Sequence, residues 1–268
     1  MLARVGRDLN HESGFDPRQP HQQVESISKA RGLPESLLDL QIHSVGSASN
    51  TRRHLCKACA RPLSTCICHW ITPIAHQVEV LVLQHPLEVD NAKGSARLLH
   101  LCLPHSRMVT GELFTEPELQ ALLFGPLRCQ TGVPCPKHVI LLYPDMPHDQ
   151  ALGVKAPPFL EPAFLREPTQ LRLVVLDGTW RKSRKMLHLN PLLQQLPRLS
   201  LRDMPASHYV IRKAHRPDQL STLEATCAAL SQLEHNAERF APLLAAFDGF
   251  VGQQLAYRVG RADPLAAI

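Results

Sequence analysis

"LRLVVLDGTWRKSRKM" (Leu171–Met186) decides the fold. Its first six residues are nearly all apolar and rich in β-branched side chains. That composition fits a strand buried on both faces, as in a parallel sheet. Asp177 stands where the strand should end. Gly178 permits an unusual backbone angle or close approach of a ligand. Thr179 can cap a helix that begins there, and Trp180 offers a flat face. Arg181, Lys182, Arg184 and Lys185 then cover much of that helix, while Met186, Leu187 and Leu189 supply apolar contacts. A capped amphipathic helix with a solvated basic face would account for the cations alone. It does not account for a carboxylate at the carboxyl end of a buried strand.

Two further runs have the same character, "VEVLVLQHP" (Val78–Pro86) and "HVILLYPD" (His138–Asp145). Each run ends in polar or turn residues: Gln84 and His85, Asp145, then Asp177 and Gly178. In open α/β sheets ligands bind beyond the carboxyl ends of strands, so the three ends predict one shared site. The intervening stretches are long enough for the crossovers that parallel strands need. Helical spacing through Ala96, Leu99 and Leu103 predicts a helix within Asn91–Leu103, and Glu116–Phe124 predicts another. A third opens with the capping box Ser221 to Glu224 and repeats Leu223, Cys227, Leu230 and Leu233 at helical spacing. The expected fold over residues 77–268 is therefore α/β, a mainly parallel sheet flanked by helices.

Upstream, Cys56-Lys-Ala-Cys59 is followed by Cys66-Ile-Cys68, four thiols within 13 residues. Such a set can hold a tetrahedral Zn²⁺, and a small segment with little core of its own would gain its fold from the metal. The CxC half is atypical of zinc knuckles, and His54 and His69 are spare ligands. Residues 53–76 are read as a Cys-rich zinc module. The other cysteines (Cys102, Cys129, Cys135 and Cys227) are read as core or surface thiols. Residues 1–52 are rich in Gln, Ser, His and Pro and balance their charges. They predict a largely disordered tail with a short helix over 35–42. The chain's net charge of +5 and pI near 8.8 therefore arise downstream. No run of 18 apolar residues predicts a membrane span. No apolar leader is evident at the N-terminus, so reduced thiols and a cytoplasmic setting are expected.

Two more stretches carry chemistry. "QHPLEVDNAKGSARLL" (Gln84–Leu99) runs from a strand end through a polar loop into a helix. Lys93, Gly94 and Ser95 lie near that helix start, where backbone N–H groups can hold an anion. The P-loop spacing is absent, and an ordinary connection with a solvated Lys93 and Arg97 remains the alternative. "HYVIRKAHRPDQLSTLEA" (His208–Ala225) sets Tyr209 beside Arg212, Lys213, His215 and Arg216. That mixture suits phosphate contact plus base stacking.

The ordered set of Cys56/Cys59/Cys66/Cys68, "QHPLE" with "KGSARLL", "LDGTW", and "YVIRK" with "STLEA" resembles the DTW-domain family, the tRNA-uridine aminocarboxypropyltransferases. The resemblance covers about residues 53–235, and its Asp, Thr and Trp match Asp177, Thr179 and Trp180. It implies a SPOUT-like fold and S-adenosylmethionine as donor. The 3-amino-3-carboxypropyl group would pass to N3 of a uridine in tRNA, leaving methylthioadenosine. Asp177 would be the base, or would hold the donor's ammonium or ribose. Donor contacts are expected from Gln84, His85, Glu88, Lys93, Gly94, Arg97, Gly178, Thr179 and Trp180. Contacts to tRNA are expected from Arg181, Lys182, Lys185, Tyr209, Arg212, Lys213 and Glu224. The alternatives are an RNA methyltransferase on the same fold and a zinc-containing RNA-binding protein without catalysis.

Overall fold

The computed structural model describes residues 54–126, 138–144, 155–201 and 220–259. The chain divides into two units, Met1–Asn50 and Thr51–Ile268. The expected tail and its helix over 35–42 lie outside the described residues. So do Cys129, Cys135, Asp145, Tyr209, Arg212 and Lys213.

A five-stranded, all-parallel sheet forms the frame. Its strands are β1 (Glu79–Gln84), β2 (Ser106–Thr110), β3 (His138–Leu142), β4 (Leu171–Asp177) and β5 (Arg198–Leu199). They run in the order β2-β1-β4-β3-β5. The three apolar runs are β1, β3 and β4, the inner strands. Side chains alternate across a pleated strand, and here both faces are covered. Val80, Val82, Leu173 and Val175 enter one core with α1 (Ala96–Cys102), α5 (Thr222–Leu233) and α6 (Ala241–Val259). Leu81, Leu83, Val174 and Leu176 enter the other with α2 (Glu116–Phe124), α3 (Trp180–Leu189) and α4 (Pro191–Gln194). Removing a leucine side chain from water on either face contributes roughly 1.5–3 kcal/mol. That explains the lack of polar alternation in the three runs.

Several boundaries differ from the sequence expectation. The helix expected within 91–103 begins only at Ala96, because Asn91 to Gly94 form turns: Asn91 N–H donates to Glu88 O (3.1 Å) and Gly94 N–H to Asn91 O (2.8 Å). The helix opened by the Ser221 capping box ends at Leu233, and His235 then takes a left-handed conformation (φ 50°). β2, β5, α4 and α6 had no sequence signal strong enough to name them. β2 is an edge strand of mixed burial, and β5 spans two residues.

The Cys-rich segment packs on the first core. Ile67 and Cys59 are buried in it, and the Trp70 ring lies so close to Gly249 of α6 that a Cβ there would meet the ring at 2.2 Å. Trp70 Nε1–H donates to Gln253 Oε1 (3.0 Å), and Gln253 Nε2–H donates to Cys66 O (3.1 Å). The segment is thus seated on the α/β body by apolar contact and two matched hydrogen bonds.

Candidate functional site

β1 leads through α1 to β2 on one side of the sheet, whereas β4 leads through α3 and α4 to β5 on the other. β1 and β4 are neighbours, so their carboxyl ends form the topological switch point where α/β sheets open a crevice. Gln84 and Asp177 are register partners at those ends. Both continue the set Val80-Val82 and Leu173-Val175, so both face α1 and α5. Thr222, the first residue of α5, meets them there.

Asp177 is buried, and each oxygen of its carboxylate accepts a hydrogen bond. Gln84 Nε2–H donates to Oδ2 (2.9 Å) and the Thr222 hydroxyl to Oδ1 (2.7 Å). The Asp177 carbonyl accepts His85 N–H (2.9 Å). The bonds from Gln84 and Thr222 fix the carboxylate in one orientation at the end of β4. A cleft opens beside this carboxylate. Glu88, Asn91, Lys93, Gly94 and Ser95 line one side, and Asp177, Gly178 and Thr222 the other. Two carboxylates, a lysine and backbone polar groups therefore surround a space suited to a zwitterionic or cationic small molecule.

The remaining expected residues divide by position. Glu88 is buried, accepts from Lys182 Nζ (2.9 Å) and from Asn91 Nδ2 (2.7 Å), and forms one wall. His85 accepts Leu87 N–H at Nδ1 (3.1 Å), so Nε2 carries the proton and donates to Glu112 Oε1 (2.8 Å). Lys185 Nζ holds the other Glu112 oxygen (2.9 Å). Lys185 first, and His85 second, keep the Glu112 carboxyl below its usual range. Two of the four cations on α3 thus fold onto acidic partners, while Arg181 is exposed. Thr179 caps α3, its hydroxyl accepting Lys182 N–H (3.4 Å). Trp180 stands outside the cleft, half exposed, with its ring edge-on to Tyr143 (5.9 Å between centroids). Neither Gly94 nor Gly178 has a left-handed backbone. Each is instead crowded: a Cβ would lie 3.1 Å from Asn91 O at Gly94 and 3.1 Å from Lys182 Cβ at Gly178. Arg97 reaches away from the cleft toward Ala58 O (3.5 Å). The Glu224 carboxylate accepts Ser221 N–H (2.7 Å), and the Ser221 hydroxyl accepts Glu224 N–H (3.1 Å), which completes the capping box.

Thr222 and Asn91 line the cleft and had not been singled out from the sequence, whereas Ser95 had been. Thr222 hides inside the capping signal "STLE". Its one legible cue was a second hydroxyl at a helix start.

The four cysteines form a separate centre. Their sulfurs all lie within 4.8 Å of one another, with Cys56–Cys68 at 3.5 Å and Cys59–Cys66 at 3.8 Å. A tetrahedron with Zn–S bonds of about 2.3 Å has sulfur–sulfur edges of about 3.8 Å, so the donor set fits Zn²⁺. Backbone N–H groups of Cys59 and then Ala58 aim at the Cys56 sulfur and lower its pKa to about 6. Burial, then the sulfurs of Cys56, Cys66 and Cys59, push Cys68 up to about 12. Four thiolates this close need a cation to share their charge. His54 and His69 are not part of the cluster. Fresh, unoxidised protein is expected to carry about one zinc per chain, and the Cys56→Ser/Cys59→Ser protein none. Metal analysis checks this, and a wild-type chain without zinc would contradict it.

Among the described residues no helix is long and apolar enough to cross a membrane. Residues 53–255 match the profile of the DTW domain, so the match runs about twenty residues past the expected limit and takes in most of α6. A tRNA-uridine aminocarboxypropyltransferase 2 of Macaca fascicularis is 30% identical over 194 residues, 69% of this chain and 58% of that protein. The protein of that name in Drosophila melanogaster is 27% identical over 209 residues, 74% of each chain. A tRNA-uridine aminocarboxypropyltransferase A of Arabidopsis thaliana is 26% identical over 141 residues, 51% of each chain. This chain thus spans less than two thirds of the macaque relative. No solved structure matches it at a significant level.

Proposed function

Because the chain belongs to the DTW-domain family, we propose that it transfers the 3-amino-3-carboxypropyl group of S-adenosylmethionine to N3 of a uridine in tRNA. One observation carries the reading: the buried Asp177 carboxylate, held by Gln84 and Thr222, lines a cleft at the switch point of the sheet. A parallel sheet with its cleft at this edge is compatible with a SPOUT-like fold.

The reaction asks for orientation above all. The donor sulfonium bears three carbons, and only the γ-carbon of the aminobutyrate may meet the nucleophile. N3 of the uracil forms the new C–N bond, the C–S bond breaks, methylthioadenosine leaves with the electron pair, and the N3 proton is lost. Asp177 and Glu88 supply negative charge for the donor's ammonium and sulfonium, and Lys93 a positive charge for its carboxylate. Backbone groups at Gly94 and Gly178 border the adenosine. The hydrogen bonds from Gln84 and Thr222 hold the carboxylate in one orientation, as an anchor for the donor requires. Arg181, exposed on α3 next to Trp180, is a phosphate contact for the tRNA, and Trp180 a stacking face at the same edge. Reduced thiols and a tRNA substrate support a cytoplasmic setting for the reaction.

The by-product tests the reading. Incubation with unmodified tRNA and S-adenosylmethionine should release methylthioadenosine. S-adenosylhomocysteine in its place would indicate methyl transfer, and neither product would indicate a binding protein.

A further inference from the structure

Arg61 lies just past the first pair of cysteines, at a position the motif does not require. Its backbone is fixed by the Cys-rich turn itself: Cys56 N–H donates to Arg61 O (2.7 Å), and Ala60 N–H donates to Cys56 O (2.8 Å). Ala60 between them has φ 55°, a left-handed conformation that a β-carbon disfavours. The turn thus keeps Ala60 in a disfavoured conformation directly after Cys59 of the four-sulfur centre.

The Arg61 side chain then leaves the Cys-rich segment and reaches the cleft. Nη1–H donates to Ala92 O (2.8 Å) and Nη2–H to Gly94 O (3.0 Å). Its guanidinium also lies 5.0 Å from the ring centroid of the buried Phe250. A planar fork that grips two carbonyls fixes the path of the chain between them. In a trans peptide the carbonyl and the following N–H point opposite ways. Turning the carbonyls of Ala92 and Gly94 toward Arg61 thus turns the N–H groups of Lys93 and Ser95 away from it. Lys93, Gly94 and Ser95 all line the cleft beside Asp177.

We propose that Arg61 is a positioning residue that couples the four-cysteine centre to the cleft loop, so that residues 91–95 keep their binding shape only while that centre is intact. The coupling itself stands on geometry; its consequence for the donor rests on the reading of the cleft given above.

Hydrogen exchange read by mass spectrometry on the full chain tests it, with zinc content and S-adenosylmethionine affinity measured in parallel. Arg61→Ala should keep its zinc, keep slow exchange in β3, and exchange about tenfold faster over residues 88–95. Wild-type protein stripped with a chelator should show the same local change. Apparent donor affinity falls in proportion to the fraction of time the loop is competent, so only a drop of that fraction to about a tenth would weaken it about tenfold. Arg61→Lys, which can reach one carbonyl but not grip both, should fall between and guards against misfolding of the alanine protein. Unchanged exchange over 88–95 in either variant with zinc retained would overturn the coupling. A wild-type chain that binds no S-adenosylmethionine would instead remove the donor reading, and the exchange result would still decide the role of Arg61.

Discussion

Asp177→Asn is expected to lower turnover by about 10² or more if Asp177 takes the N3 proton, the usual range when a general base is lost. The substitution keeps size and removes charge. The fold should tolerate it, because the Gln84 amide can reverse to accept from the new amide N–H, and the Thr222 hydroxyl can still donate to its oxygen. Two mechanisms then separate. If Asp177 anchors the donor's ammonium, affinity for S-adenosylmethionine should fall by about 1.5–3 kcal/mol. If Asp177 takes the N3 proton, affinity should hold and single-turnover rate alone should drop. Calorimetry beside single-turnover kinetics distinguishes them. Near-normal activity and affinity in folded Asp177→Asn protein would make the residue a mere strand-to-helix connector.

Arg172→Met is expected to cost about 3–5 kcal/mol of stability, the range for breaking one partner out of a buried charge pair. Arg172 is wholly buried in β4. Its Nε and Nη2 donate to Glu79 Oε2 (3.0 and 2.6 Å), and Nη1 donates to the carbonyls of Leu122 and Leu123 (2.7 Å each). Those carbonyls belong to the last turn of α2, where no intrahelical partner exists. The methionine keeps much of the volume but leaves a carboxylate and two carbonyls without their donor. Glu79 is partly exposed, so some water reaches it and the loss should sit toward the lower end. Removing the orphaned charge in Arg172→Met/Glu79→Leu should recover part of the stability. Urea unfolding of the two single variants and the double gives the coupling directly. A loss under about 1 kcal/mol for Arg172→Met would rank the pair with ordinary surface ion pairs.

The inner strands were legible because burial on both faces leaves an unbroken apolar run, as in β1, β3 and β4. Capping chemistry likewise marked α3 at Thr179 and α5 at Ser221. The strand order was not legible, since parallel partners are chosen by crossovers that leave no local mark. Arg172 sat inside a run read as strand core, and only its partners on β1 and α2 explain it. The charge run on α3 suggested a cationic surface, yet Lys182 and Lys185 close on Glu88 and Glu112, 94 and 73 residues away in sequence. Such long-range pairs cannot be read from a helix's own pattern. Within the site, Asp177, Lys93, Gly94, Ser95 and Gly178 were named from strand ends and loop chemistry and Glu88 from the family resemblance, and all line the cleft. Thr222 was missed because its hydroxyl is presented by a helix that packs there only in three dimensions.

The most direct measurement is mass spectrometry of nucleosides from unmodified tRNA after reaction with purified protein and S-adenosylmethionine labelled in the aminobutyrate carbons. The account predicts labelled 3-(3-amino-3-carboxypropyl)uridine, one methylthioadenosine released per modified uridine, and loss of both in Asp177→Asn. Methylated uridine without the label, or tRNA that binds and returns unmodified, would contradict it.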